Sequence, residues 1–145
     1  MGRDTRQHLL EQAIKGLNAR DWDAYGAMFT EDVAVYSPGS QEPSIGRAAR
    51  VQWVVDLITA FPDGVVEVTS YFGEGGRMCA EFAFSGTHTG PLKTPDGEVP
   101  PTGARVTFPY AIAYRYKGDL ATEVHEYYDQ LELLMPLGLV RLAGS

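Results

Sequence analysis

The chain has 145 residues, 44% hydrophobic and 21% charged, with a formal net charge of −7. This is the composition of a soluble globular protein, with length for one ordinary domain spanning residues 1–145. The acidic balance and the lack of any basic run argue against a nucleic-acid partner.

Cys79 is the lone cysteine, so a disulfide within the chain is ruled out. Its place in Arg77-Met78-Cys79-Ala80-Glu81-Phe82 reads as a strand, which makes it a buried structural thiol. No segment approaches the ~18 apolar residues that indicate a membrane span. The N-terminus lacks the apolar core of a signal peptide. A cytoplasmic enzyme or binding protein is the expectation.

In chain order, Leu9, Leu10, Ala13, Ile14 and Leu17 mark one face of a first helix, with Asp4 or Thr5 as N-cap. Asp21 can cap a short second helix carrying Trp22, Tyr25, Met28 and Phe29. A strand over Val33 to Tyr36 ends at Ser37-Pro38-Gly39-Ser40. A third helix runs from Arg47 to Ala60 with Val51, Val54, Val55 and Ile58 as its apolar stripe, and Phe61-Pro62-Asp63-Gly64 stops it.

The period then changes from helical to alternating. Val65 to Phe72, Met78 to Thr87, Ala104 to Tyr116 and Leu120 to Tyr128 read as strands rich in Val, Phe, Tyr and Thr. Gly73-Glu74-Gly75-Gly76 and Lys117-Gly118-Asp119 are turns that join antiparallel neighbours. Residues 90–103 read as an ordered surface loop that shapes or gates a pocket rim. Helices followed by long strands and a terminal helix describe an α+β domain. Its sheet must curl for the helices to cover one face, which leaves a cavity between the layers as the default ligand site.

The most suggestive stretch is Glu123-Val124-His125-Glu126-Tyr127-Tyr128-Asp129, where a strand passes into a helix beginning near Gln130. Side chains repeat every two residues along a strand, so His125 and Tyr127 share the face of Asp129. A carboxylate desolvated in an apolar pocket can take or give a proton, and an imidazole can relay it. Asp129 and His125 are therefore the candidate catalytic residues. The plainer readings are that Asp129 caps the last helix and that His125 is a hydrogen-bonded strand residue. Tyr127, Tyr36, Trp53, Phe82, Phe84, His88, Tyr110 and Tyr114 are the candidate substrate-binding residues, with core packing as the plainer role of the aromatics. His8, His88 and His125 show no metal-ligand spacing.

The chain resembles the SnoaL-like polyketide cyclases, also called ester cyclases, of the NTF2-like superfamily. Leu17-Asn18-Ala19-Arg20-Asp21-Trp22-Asp23 with Phe29-Thr30-Glu31-Asp32-Val33 is similar to the family's opening helices and first strand. Gly86-Thr87-His88-Thr89-Gly90-Pro91-Leu92 and Pro100-Pro101-Thr102-Gly103-Ala104-Arg105-Val106 resemble its central hairpin. Tyr127-Tyr128-Asp129-Gln130 with Leu133-Leu134 and Leu137-Gly138-Leu139 resembles its C-terminal signature.

The resemblance implies a cone-shaped barrel, a curved and mostly antiparallel sheet wrapped around N-terminal helices with a central apolar pocket, usually in a homodimer. It implies polyketide biosynthesis: ring closure by intramolecular aldol condensation on a hydrophobic polyketide ester, without metal or cofactor. It maps an acid/base role onto Asp129. The penultimate strand, Tyr110-Ala111-Ile112-Ala113-Tyr114-Arg115, departs from members that present His or Gln towards that residue.

Ketosteroid isomerase activity is rejected, because Ser37 and Ala13 stand where that activity needs Asp and Tyr. Epoxide hydrolysis is a third option, since Asp129 matches only one member of its Asp–Arg–Asp set. The main alternative to an enzyme is a non-catalytic protein that binds a hydrophobic small molecule in the same pocket.

Overall fold

The computed structural model describes residues 3–94, 96–141 and 143–144. Its elements are α1 (Arg3–Asn18), α2 (Trp22–Gly26), β1 (Phe29–Tyr36), β2 (Ser44–Ile45), α3 (Arg47–Ala60), β3 (Val65–Glu74) and β4 (Arg77–Thr87). A short hairpin, β5 (Leu92–Thr94) and β6 (Gly97–Val99), precedes β7 (Arg105–Lys117), β8 (Leu120–Tyr128) and α4 (Gln130–Leu134). The expected α+β architecture holds: N-terminal helices lie against a curved, mostly antiparallel sheet.

The main sheet has strand order β2-β1-β8-β7-β4-β3, and only β1 and β8 run parallel. Each long strand buries alternate residues, such as Met78, Ala80, Phe82 and Phe84 on β4 and Val106, Phe108, Ile112 and Tyr114 on β7. Register shifts at Val68/Ser70, Phe29/Ala34 and Arg115/Tyr116 bend the strands towards the helices. The sheet is not closed, since β2 and β3 remain edges.

The helices form where the apolar spacing lies. Leu10, Ala13, Ile14 and Leu17 of α1 are all buried, as are Val54 and Ile58 of α3. Asn18 ties α1 to the β3 edge by giving a hydrogen bond to Val66 O (2.8 Å) and accepting one from Val66 N (2.9 Å). Arg20 holds a left-handed turn (φ 63°) with bonds to the carbonyls of Leu17, Pro62 and Gly64. Asp21 caps α2 as expected, its carboxylate accepting from Ala24 N at 3.1 Å. Among the described residues no helix is long and apolar enough to cross a membrane.

Four local expectations change. Helix α1 starts at Arg3, so Asp4 and Thr5 lie inside it rather than capping it. The stretch 90–103 contains the β5–β6 hairpin, which turns at Gly97 with φ 120°. Its base is tied to α3, since Thr89 N and Gly90 N both donate to Ala60 O. A Cβ at Gly90 would lie 1.9 Å from Thr59 O, so only glycine allows this approach. Ser44–Ile45 adds a short edge strand beside β1. Cys79 is half-buried rather than buried, because it stands on the convex face of β4.

Candidate functional site

The concave sheet face and the helices enclose a cleft with about 710 Å³ of non-atom space, open mouth included. Only about 50 Å³ of it admits the centre of a water-sized sphere, so the cleft is a narrow slot. Ile14 and Leu17 of α1, Val54, Leu57 and Ile58 of α3, and Phe82, Phe84 and Phe108 of the sheet supply apolar walls. Phe82 and Tyr110 stack at 4.9 Å with 14° between their planes, giving one wall a flat aromatic surface.

One charged pair interrupts this surface. Glu126 lies on β8 between Val124 and Tyr128, opposite Ile112 of β7, which is itself opposite Ala80 of β4. Arg50 lies one helical turn before Val54 and shares its buried face of α3. The guanidinium Nη2 pairs with Glu126 Oε1, and the two side chains are only 6% and 3% exposed. Arg50 Nε donates to Tyr25 Oη at 3.0 Å, and the guanidinium lies 5.2 Å from the Trp53 ring centroid. The other carboxylate oxygen, Oε2, accepts from Ser37 Oγ at 2.8 Å.

The electrostatics follow from burial. Desolvation opposes the Arg50 charge, yet Glu126 and then Tyr25 hold its pKa above the usual arginine value. Burial pushes the phenols of Tyr25, Tyr110, Tyr114 and Tyr128 up from theirs. All four are neutral hydroxyls at ordinary pH. The slot thus combines a buried, Arg50-paired carboxylate with phenols that can donate hydrogen bonds to a carbonyl.

Of the candidate substrate-binding residues, Trp53, Phe82, Phe84, Tyr110 and Tyr114 line this slot. Five other candidates stand elsewhere. Asp129 is exposed, and its Oδ1 accepts from Leu131 N at 2.9 Å as the N-cap of α4. Asp129→Ala is expected to cost about 1 kcal/mol in urea unfolding, with Asn there close to neutral. His125 and Tyr127 do share a strand face with each other, but it is the convex one. His125 stacks on Tyr36 at 4.5 Å and bonds Glu123 Oε1 at 2.7 Å. Tyr127 is 61% exposed. The physical reason is strand parity: Val124 and Glu126 are buried, so 125 and 127 must face away.

His88 is fully buried but outside the slot. Its Nδ1 contacts Thr102 Oγ1 at 2.8 Å and accepts from Thr102 N at 3.2 Å, closing the base of the hairpin loop. Burial lowers its pKa below the ordinary 6.5, against a smaller opposite pull from the Gly90 backbone. The unfolded chain therefore binds a proton that the folded protein resists. This stability is fully present above about pH 6.5 and is lost as pH falls towards the lower folded value. Urea midpoints measured across this range should fall on acidification, and His88→Gln should flatten that part of the profile.

The sequence reading missed Tyr25, Arg50, Glu126, Ser37 and Tyr128 as site residues. A signal existed for Arg50, since it sits at i−4 from Val54 and i−8 from Ile58, on the apolar stripe. Glu126 had the opposite parity to the residues favoured on β8. Nothing local distinguished the two faces.

Comparison with known proteins follows this geometry. The family model described as SnoaL-like polyketide cyclase matches residues 7–137. TsrD from Streptomyces laurentii superposes with a TM-score of 0.81 at 18% identity, covering 97% of this chain and 99% of that one. A protein of Jannaschia sp. CCS1 assigned to the SnoaL-like polyketide cyclases gives 0.80 at 18% identity, over 95% and 94% of the two chains. AclR from Streptomyces galilaeus, a proposed hydroxylase, gives 0.77 at 24% identity, over 94% and 97%. At these identities the three superpositions speak for the shared fold alone. No match was found among curated proteins. The match of the family model over most of the chain, on an NTF2-like fold with an apolar central slot, shows that this protein belongs to the SnoaL-like polyketide cyclase family.

Proposed function

We propose that the protein performs cofactor-free acid/base chemistry on a hydrophobic keto or ester compound of polyketide type, closing a ring by an intramolecular aldol-type step. The observation that carries this reading is Glu126, a carboxylate buried in a slot whose walls are otherwise almost wholly apolar. Glu126 takes the proton from the carbon next to a carbonyl, and the C–H electron pair becomes the enolate. The enolate carbon attacks a second carbonyl of the same molecule and forms the new C–C bond. Glu126 then returns its proton to the resulting alkoxide, so protons and electrons balance within one turnover. Arg50 and Ser37 hold the two carboxylate oxygens, which aims the group into the slot. The proton-transfer role expected of Asp129 passes to Glu126 in this reading.

The test is product analysis by chromatography and mass spectrometry with a panel of aromatic polyketide esters, keto compounds and epoxides. Wild type and Asp129→Asn should both yield cyclised product, and folded Glu126→Gln should not. Product from Glu126→Gln at the wild-type rate would sink the assignment.

A second reading, binding without turnover, is favoured by the fact that both oxygens of Glu126 are already engaged. Panel members that bind wild type and Glu126→Gln alike, with no product from either, would favour it. For assembly, the reading is a homodimer through the convex sheet face, where Tyr36, Phe72 and Tyr127 are exposed. Sedimentation of wild type as a monomer at micromolar concentration would remove that part.

A further inference from the structure

We infer that the hydroxyls of Tyr25 and Tyr110 form an oxyanion subsite facing Glu126, which takes the carbonyl oxygen of a flat enolisable ketone and holds the enolate made from it. This rests on the acid/base reading of Glu126 and adds the groups that the reaction needs at the carbonyl oxygen. Removing a proton from carbon leaves negative charge on oxygen. In a slot walled by Phe82, Phe84 and Phe108 the groups that can meet it are chiefly phenol hydroxyls, since the one cation among the described lining residues, Arg50, is already paired with Glu126.

The two tyrosines come from different layers. Tyr25 stands on α2, 3% exposed, and lines the slot. Its oxygen accepts from Arg50 Nε at 3.0 Å, while its own hydroxyl hydrogen meets no acceptor among the described residues. A phenol whose lone pair receives a guanidinium hydrogen bond is polarised and becomes a stronger donor. Tyr110 stands on β7, two residues from the Ile112 that opposes Glu126, with its ring stacked on Phe82. Its hydroxyl makes no hydrogen bond to any described residue. A hydroxyl left without a partner beside an apolar slot has a donor to spend on a ligand. Tyr110 feels the charges of both Arg50 and Glu126, and burial keeps both phenols protonated. Each can therefore donate to an oxyanion while Glu126 carries the abstracted proton.

The test uses 2-naphthol as a stand-in for the enolate and the full-length Glu126→Gln variant as a stand-in for the protonated base. Bound 2-naphthol is expected to show the naphtholate absorption and excitation bands at a pH where the free compound is neutral. Adding Tyr110→Phe should reduce the ratio of bound anion to bound neutral form by about 10- to 100-fold, the worth of a hydrogen bond to a charged group. Tyr25→Phe should act in the same direction. Tyr110→Phe removes a hydroxyl that supports nothing else in the fold, so the result does not depend on whether Tyr25→Phe folds. A neutral spectrum, an anion signal unchanged by Tyr110→Phe, or no binding to folded Glu126→Gln would each overturn the subsite. Exchange of the α-hydrogens of 2-tetralone in D2O, followed by NMR, separates the two readings. Naphtholate behaviour as expected, with no faster exchange by wild type than by Glu126→Gln, removes the base role of Glu126 and leaves the subsite standing.

Discussion

Glu126→Gln is expected to lower turnover by about 10²- to 10⁴-fold, the usual contribution of a positioned general acid or base. Gln has the same shape, and with its amide oxygen on the Arg50 guanidinium its NH2 can donate to Ser37 Oγ, so the slot should keep its form. What it loses is the ability to take a proton from carbon. Among the described residues lining the slot Glu126 is the only carboxylate, so no neighbour there can substitute for it. The contrast with Asp129→Asn is the sharp part of the experiment. That residue holds a helix end in solvent, where Asn caps about as well as Asp, and its turnover should match wild type. Initial rates of product formation, with circular dichroism to confirm folding, check both. A full loss in Asp129→Asn and none in Glu126→Gln would return the chemistry to the strand–helix junction.

The second large effect concerns stability. Arg50→Met is expected to cost about 3–5 kcal/mol in urea unfolding, because it leaves Glu126 buried without its cation. The Arg50 side chain also meets Tyr25 and the Trp53 ring, so the loss includes those contacts. Replacing both partners, Arg50→Met with Glu126→Leu, should recover most of that loss, since two buried charges are then exchanged for apolar packing. Such a variant would be folded and inactive, which would mark the pair as needed for function rather than for folding. A single Arg50→Met variant as stable as wild type would mean that water reaches Glu126 freely.

Much of the fold was legible because its signals are local. Helix α3 was expected at Arg47–Ala60 and strand β8 was expected to run from Leu120 to Tyr128, and both hold. In each case apolar spacing and flanking turn residues act within a few positions. The Asp21 cap is equally local. The β5–β6 hairpin was not legible, because its run of Gly, Pro, Lys and Thr carries a weak strand signal. What stabilises it is contact with α3, including Lys93 near Asp56 at 3.6 Å and the close seat of Gly90 on Thr59.

The site divides along the same line. The aromatic walls Phe82, Phe84, Tyr110 and Tyr114 follow from strand alternation, since large apolar residues at period two seek the buried face. The buried carboxylate does not. On β8 alternation yields two sets of residues, and His125, Tyr127 and Asp129 look as fit for a pocket as Val124, Glu126 and Tyr128. Local chemistry even favours exposing a glutamate, because burying a charge is costly unless a partner meets it. That partner, Arg50, is on a helix far away in the chain, and Tyr25 and Ser37 come from two further segments. Periodicity along the chain thus established the elements and the α+β plan. The inward face of β8, and with it the identity of the buried carboxylate, was settled by long-range packing, because the cost of burying Glu126 is offset only after α3 has docked on the sheet.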